Sequence, residues 1–104
     1  GPTTWPTPSG QRPAFQLGAV RPQPATGVAR FTLSVGLRTS AQVAILDVQG
    51  RVVRTLPRAT MDPGPREFVW DGRDDGGVPV RSGVYFARVR THEGSAQARS
   101  VIAR

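Results

Sequence analysis

Residues 69–89 constrain the fold more than any other stretch of this sequence. Val69 and Trp70 end an apolar segment, and the seven residues that follow contain three aspartates and three glycines. Glycine adopts positive φ without strain and aspartate caps its own turn, so the chain must reverse here. The run Val84–Val89 comes next and is rich in β-branched and aromatic residues. The stretch therefore predicts a strand, a long turn and a second, strong strand.

Short apolar segments separated by turn-forming residues recur along the whole chain. Its 104 residues suffice for one domain with a modest core, and its apolar segments are short and separated by the 12 glycines and 10 prolines. This pattern predicts an all-β fold, an immunoglobulin-like or fibronectin-like antiparallel β-sandwich of about seven strands. The predicted strands are Ala14–Val20, Val28–Leu37, Ala41–Val48, Arg51–Leu56, Arg66–Trp70, Val84–Val89 and Ala96–Arg104.

Two of these strands carry the clearest signals. Strict alternation of apolar and polar residues over 28–37 predicts a strand with one buried face, and the nearly continuous apolar run 41–48 predicts a central strand. Thr39-Ser40 is predicted to turn between them. Gln49-Gly50 is predicted to form a two-residue hairpin loop, and the proline-rich segment 57–65 a longer loop.

The first thirteen residues differ in composition from the rest of the chain. Gly1-Pro2 resembles the scar left by a tag-removing protease, and residues 1–13 have the Pro/Thr-rich composition of a linker, which leaves 14–104 as the sandwich domain. No run approaches the roughly 18 apolar residues that a membrane-spanning helix requires. There are no cysteines, so disulfides are excluded.

The charge is strongly positive. A formal net charge of +7 comes from 14 basic residues, all arginine, against 7 acidic ones. These arginines are spread evenly along the chain without interleaved stacking aromatics, so the sequence predicts a solvated basic surface and no nucleic-acid binding.

The inventory of reactive groups predicts that the protein is not an enzyme and uses no cofactor. His92 is the only histidine, and it has no second histidine or cysteine with which to build a metal site. The serines lie in linker, turn or strand contexts, and none occupies a G-x-S-x-G elbow. Nucleophilic catalysis therefore has no candidate.

Asp71, Asp74 and Asp75 form the one acidic cluster and a weak candidate calcium site. They lack the D-x-D-x-D-G spacing and the later glutamate of a calcium loop, and Arg73 supplies a counter-charge. Capping of backbone N–H groups within the turn is the favoured interpretation.

Three aromatic residues are predicted to be structural. Tyr85 follows Ser82-Gly83 at the start of a strand, where a corner tyrosine buries its ring and bonds its hydroxyl to nearby backbone. Trp70 is predicted to lie in the core rather than to form a carbohydrate platform, and Phe31 lies on the buried face of its strand.

The order of several motifs resembles a known family. F-x-L-x-V at 31–35, V-A-I-L-D-V-Q-G-R-V-V-R-T-L at 43–56, W-D-G-R-D-D-G-G-V-P-V-R-S-G-V-Y-F-A-R-V at 70–89 and a terminal S-V-I-A-R are similar to the immunoglobulin-like domain of flagellar hook-capping proteins. Within that group the sequence most resembles the C-terminal sorting domains of the type IX secretion system. It departs from the pattern at Pro22-Gln23-Pro24-Ala25, at Leu46 and at Ala87.

This resemblance implies a non-catalytic C-terminal module of a larger secreted bacterial protein with a catalytic domain upstream. Such a module passes through the periplasm to the cell surface and contacts the secretion machinery or an outer-membrane component. The S-G-V-Y-F motif and an end one strand later favour the sorting version. The residues expected to shape the recognised surface are Gly50, Arg51, Asp71, Gly72, Asp74, Gly83, Tyr85 and Arg104.

Two alternatives remain open at this point. An accessory carbohydrate-binding module of a glycosidase is suggested by Trp5, Trp70 and the Pro/Thr linker. A structural spacer of the hook-capping type is the other alternative, and it predicts self-association.

Overall fold

The computed structural model describes residues 15–104, which form two antiparallel β-sheets packed face to face. The predicted linker 1–13, its Trp5 and the first predicted strand residue, Ala14, lie outside the described residues. Within residues 15–104, no helix has the length and apolar character needed to cross a membrane.

Eight strands are present in this part of the chain. They are β1 (Phe15–Leu17), β2 (Ala29–Val35), β3 (Thr39–Leu46), β4 (Val52–Thr55), β5 (Ala59–Met61), β6 (Gly64–Trp70), β7 (Gly83–Thr91) and β8 (Gly94–Ile102). The small sheet has the order β1-β2-β6. The large sheet has the order β4-β3-β7-β8, and β5 pairs with the first residues of β3.

The structure confirms the predicted antiparallel sandwich of about seven strands and has one strand that the sequence did not predict. Segment 57–65 was predicted to be a loop, but it contains β5, and Ala59 and Met61 are buried opposite Ala41 and Thr39 of β3. Thr39 therefore opens a strand instead of forming a turn. Pro57 and Pro63 lie two residues outside β5 on either side and give the segment the composition of a loop, so this three-residue strand has no clear signal in the sequence.

The β3–β4 turn also differs from the prediction of a two-residue loop. Asp47 N–H donates to the carbonyl of Arg51 at 2.9 Å, and Gly50 N–H donates to the carbonyl of Asp47 at 3.0 Å. Three residues therefore lie between the closing pair. Gly50 has φ +84° and takes the left-handed position that such a three-residue hairpin requires.

The core lies between the inner faces of the two sheets, as alternation along the strands predicts. Residues 29, 31, 33 and 35 of β2 are buried. Phe31 stacks on Phe68 of β6 with ring centroids 5.7 Å apart and an interplanar angle of 12°. β3 is central in the large sheet, and Ala44 and Leu46 are buried even on its outer face.

The strand register places the connections at two opposite ends of the sandwich. Leu46 pairs with Phe86, Gly83 with Ile102 and Ala29 with Trp70. The β3–β4 turn, the β6–β7 connection, the β1–β2 connection and the last two residues therefore meet at one end, which we call the motif end. The β2–β3 and β7–β8 turns lie at the opposite end.

Candidate recognition surface

The motif end brings together the residues that the sequence predicts to shape a recognised surface. Gly50 and Arg51 lie in the β3–β4 turn, and Asp71, Gly72 and Asp74 lie in the β6–β7 connection. Gly83 and Tyr85 open β7, and Arg104 follows β8. Residues far apart in the sequence thus meet at one end of the fold.

Aspartate side chains fix the β6–β7 connection. Asp71 accepts hydrogen bonds from the N–H of Arg73 at 3.0 Å and from Arg54 Nη1 at 2.9 Å. Asp74 accepts from the N–H groups of Gly76 and Val78, both at 2.9 Å. These carboxylates hold the backbone of their own turn, which is the capping role that the sequence favours.

Asp75 ties the same connection to β4, an edge strand of the large sheet. Its N–H donates to the carbonyl of Val53 and its carboxylate accepts from the N–H of Thr55, each at 2.9 Å. Because Asp75 bonds to β4 on both sides of Arg54, the connection covers this part of the edge as a short extra strand would.

The candidate calcium ligands are consequently not arranged as a cation site. Among residues 15–104, no group of three acidic, histidine or cysteine side chains is placed to hold a metal ion. Asp71 and Asp75 instead face the guanidinium of Arg54, with oxygen–nitrogen distances of 2.9 and 3.9 Å.

Trp70 and Tyr85 anchor the two ends of the β6–β7 connection in the core. Their rings meet edge to face with centroids 5.5 Å apart. Trp70 Nε1 donates to the carbonyl of Arg73 at 2.9 Å, and the Tyr85 hydroxyl donates to the carbonyl of Arg81 at 2.8 Å. Trp70 is only 1% exposed, so its ring cannot stack on a sugar.

Arg104 binds backbone carbonyls at the centre of the motif end. Its Nε donates to the carbonyl of Val80 at 2.7 Å and its Nη2 to the carbonyl of Gly72 at 2.8 Å. Gly72 has φ +75°, and a Cβ there would lie 2.5 Å from the Gly27 oxygen and 2.9 Å from Arg104 Nη2. Only glycine therefore allows these three segments to approach so closely.

Gln23 completes the edge of β8 with its side chain. Its Nε2 donates to the carbonyl of Arg99 at 2.8 Å, and its Oε1 accepts from the N–H of Val101 at 2.7 Å. Ala25 then continues the pairing through its N–H to the carbonyl of Val101 and its carbonyl to the N–H of Ala103. The side-chain amide thus takes the place of a backbone peptide group.

Hydrogen bonds within the β3–β4 turn lower the pKa of the Asp47 carboxyl group. The pKa of Asp47 lies below its ordinary value, mainly because it accepts the Arg51 N–H at 3.0 Å, and further because it accepts the Arg51 guanidinium at 3.0 Å and the Gln49 N–H at 2.9 Å. Partial removal from water opposes this shift.

A cleft of about 400 Å³ separates this turn from Asp74 and Asp75.

Sequence reasoning missed four residues that organise this surface. Asp47 was detectable, because an aspartate two and four residues before turn N–H groups is the spacing of a turn cap. Arg54, Gln23 and Gly27 carry no local signal, since the partners of Arg54 and Gln23 in this surface are 17 to 78 residues away and Gly27 packs against another connection.

Comparison with solved structures gives similar sandwiches in larger proteins. PorU of Porphyromonas gingivalis matches with a TM-score of 0.69 and 22% identity over 90% of this chain and 10% of that one. PorZ of the same organism, a surface component of the type IX secretion system, matches with 0.53 and 22% over 86% of this chain and 11% of its own. The chain therefore spans about a tenth of either protein.

A third solved structure is a truncated FlgD from Helicobacter pylori, with a TM-score of 0.57 and 16% identity over 88% of this chain and 75% of that one. These likenesses establish the immunoglobulin-like fold. Comparison with curated proteins gave no significant match. The family model of the FlgD Ig-like domain matches residues 19–95, which is well over half of the sequence. The chain is therefore a member of the FlgD Ig-like domain family.

Proposed function

We propose that this chain is a non-catalytic C-terminal module of a larger secreted bacterial protein, and that it directs type IX secretion or cell-surface attachment. The observation that carries the proposal is the fold that it shares with a tenth of PorU and of PorZ. The proposed partner is the secretion machinery or a cell-surface component, reached through the periplasm. A catalytic domain upstream would supply the activity of the parent protein.

The motif end has a fixed shape, as a surface that a partner recognises in the folded protein needs. Its backbone is fixed by Asp71, Asp74, Asp75 and Arg104, so it presents one defined shape. Arg51 stands out of this end with a side chain that is 74% exposed. Because the backbone of this end is already fixed, it loses little backbone freedom when a partner binds.

A fusion experiment tests the proposal. The chain is joined to a periplasm-directed fluorescent protein in a host with a working type IX system and in an isogenic strain without one. We expect fluorescence outside the cell or on its surface only in the first strain. Equal retention inside both strains would contradict the proposal.

Matched variants then locate the recognised surface. Arg51→Gln alters the motif end, whereas Arg66→Gln makes the same charge change in the small sheet, away from that end. We expect export to fall with Arg51→Gln and to be unchanged with Arg66→Gln. Equal export of both variants would exclude the motif end.

A structural spacer of the hook-capping type is the second candidate function. The family match and the likeness to 75% of the Helicobacter pylori FlgD chain favour it. A spacer of this kind is expected to associate with itself, which sedimentation velocity at increasing protein concentration would detect. A strictly monomeric chain that is exported in the fusion experiment would rule this candidate out.

A further inference from the structure

Within residues 15–104, the first half of strand β8 has no backbone hydrogen-bonding partner on its outer edge. Gln23 and Ala25 bond to residues 99–103, so they cover the second half of the strand. Among the residues that the structure describes, no strand pairs with the outer edge of Gly94–Ala98. An uncovered edge of this kind is a template for a further strand.

The register identifies which backbone groups face outward. Arg99 and Val101 use their backbone groups to bond to Gln23 and Ala25, so the odd-numbered residues of β8 point away from β7. By the alternation of an antiparallel pair, Ser95 and Gln97 also present their N–H and C=O groups outward. Ala96 and Ala98 point toward β7, where they pair with Val89 and Ala87.

The charged side chains on the outer face of the large sheet beside this edge are all basic. Arg88 and Arg90 lie on β7 and Arg99 on β8, opposite Gln97, Ser95 and Phe86 respectively. None of these three arginines forms an ion pair in the described part of the chain. The strands of the large sheet contain no aspartate or glutamate.

Arg58 extends the same basic face across β3. Its guanidinium donates to Ser40 Oγ at 3.2 Å and to Gln42 Oε1 at 3.0 Å, and Gln42 pairs with Arg90 of β7. We call Arg58, Arg88, Arg90 and Arg99 the arginine face.

We propose that the open half of β8 accepts an extended acidic segment of a partner protein as an additional strand. The segment would pair with the backbone of Ser95 and Gln97. Its alternate carboxylates would lie on the same face as Arg88 and Arg90, which are one strand further in. The separation is about 10 Å, which a long arginine side chain and a glutamate side chain can span together over the neutral Ser95 and Gln97.

A peptide fits this site better than a nucleic acid does. Peptide groups can both donate to and accept from the exposed edge, whereas a phosphodiester backbone only accepts. Phe86 is the one aromatic side chain on the outer face of the described strands, and it is partly buried, so successive bases would find no stacking platform. This inference does not depend on the proposed function, because the site is at the other end of β8 from the motif end.

Amide hydrogen exchange of the whole ¹⁵N-labelled chain tests whether the edge is open. We expect the N–H groups of Ser95 and Gln97 to exchange much faster than those of Ala96 and Ala98, which bond to β7. A ten-residue alternating Thr-Glu peptide should slow exchange at Ser95 and Gln97 and shift their resonances. Slow exchange without the peptide, or no response to it, would overturn the proposal.

Variants separate the contribution of the edge from that of charge. Gln97→Pro removes one outward N–H without touching the β7–β8 bonds, and Gln97→Thr keeps it. We expect the proline variant to stay folded and to bind the peptide about tenfold more weakly, since it loses one anchoring hydrogen bond, and the threonine variant to bind normally.

The charge test compares two double variants of equal net charge. Arg88→Gln with Arg90→Gln should lower the affinity for the Thr-Glu peptide about tenfold or more, whereas Arg66→Gln with Arg81→Gln should change it little. Equal losses in the two variants would contradict a specific site. Tighter binding of an alternating Thr-Lys peptide or of a ten-nucleotide oligothymidine would also contradict it.

Discussion

Two glycines of the β6–β7 connection differ in the space available for a side chain. Gly72 and Gly77 have nearly the same backbone conformation, with φ +75° and +83°, but a Cβ at Gly72 would clash with Gly27 and one at Gly77 would meet nothing within 4 Å. Positive φ alone costs a non-glycine residue about 1 kcal/mol. Comparing alanine substitutions at the two positions therefore separates the cost of backbone strain from the cost of a steric clash.

We expect Gly72→Ala to lower the free energy of unfolding by at least about 2 kcal/mol more than Gly77→Ala, because the Gly27 backbone cannot yield. Urea unfolding monitored by tryptophan fluorescence measures both. Equal losses would show that the approach of Gly27 to Gly72 is not a packing constraint.

Arg104 tests the same packing from the opposite side. Its planar fork reaches the carbonyls of Val80 and Gly72 together, whereas a lysine ammonium is a single point of charge. We expect Arg104→Lys to lower stability by about 1 kcal/mol, the net contribution of one hydrogen bond. Thermal unfolding measures the change, and Arg81→Lys, whose side chain makes no such bonds in the described structure, should be neutral.

At the level of the element, the β3–β4 turn couples stability to pH. The pKa of Asp47 is depressed in the folded state, so ionised Asp47 stabilises the fold above the unfolded pKa of about 4, and this contribution is lost as the pH falls through the folded pKa. Asp47→Asn should remove this part of the acid dependence. Unfolding free energies measured at intervals from neutral pH into the acid range would show it, and parallel curves for both proteins would contradict it.

The covered half of β8 depends on one side chain. Gln23 both donates to Arg99 and accepts from Val101, so Gln23→Glu keeps the acceptor but places a carboxylate oxygen against the Arg99 carbonyl. We expect Gln23→Glu to destabilise the protein by about 1 to 3 kcal/mol, the cost of an unmet hydrogen bond. Hydrogen exchange should also quicken at Ala25, whose N–H bonds to Val101. Unchanged exchange there would show that Ala25 holds the edge alone.

At the scale of the whole molecule, the net charge of +7 opposes compaction. At 0.1 M salt, charges more than about 10 Å apart are screened from one another, so added salt weakens this repulsion. The ion pairs of the described residues are mostly exposed and contribute little to stability, so screening them has a small effect. The melting temperature should therefore rise as sodium chloride is added. A fall would show that the ion pairs outweigh the repulsion.

The sequence predicts the sandwich and most strand positions because alternation and turn residues are local signals. The alternating residues of β2 and the β-branched and aromatic residues of β7 predict their strands, although β2 ends at Val35, two residues before the predicted end, and Gly50 predicts a turn. β5 escapes prediction because its three residues lie between prolines, and Thr39 because it reads as a turn former.

The arrangement of the candidate recognition surface is less predictable from the sequence. The family resemblance identifies Gly72 and Arg104 as important, but only the fold shows that one packs on the other. Gln23 has no local signal at all, since its hydrogen-bonding partners are mostly at the far end of the sequence, at Arg99 and Val101.

The parallel bridge between Ala25 and Ile102 has a mechanical consequence. A pull on the chain beyond Ile102 along the axis of β8 loads the bonds of Ala25 to Val101 and Ala103 in shear, so they must rupture together, and cannot open one at a time. Force applied across the strand would instead peel them in sequence. The domain should therefore resist traction along β8 better than traction at right angles to it.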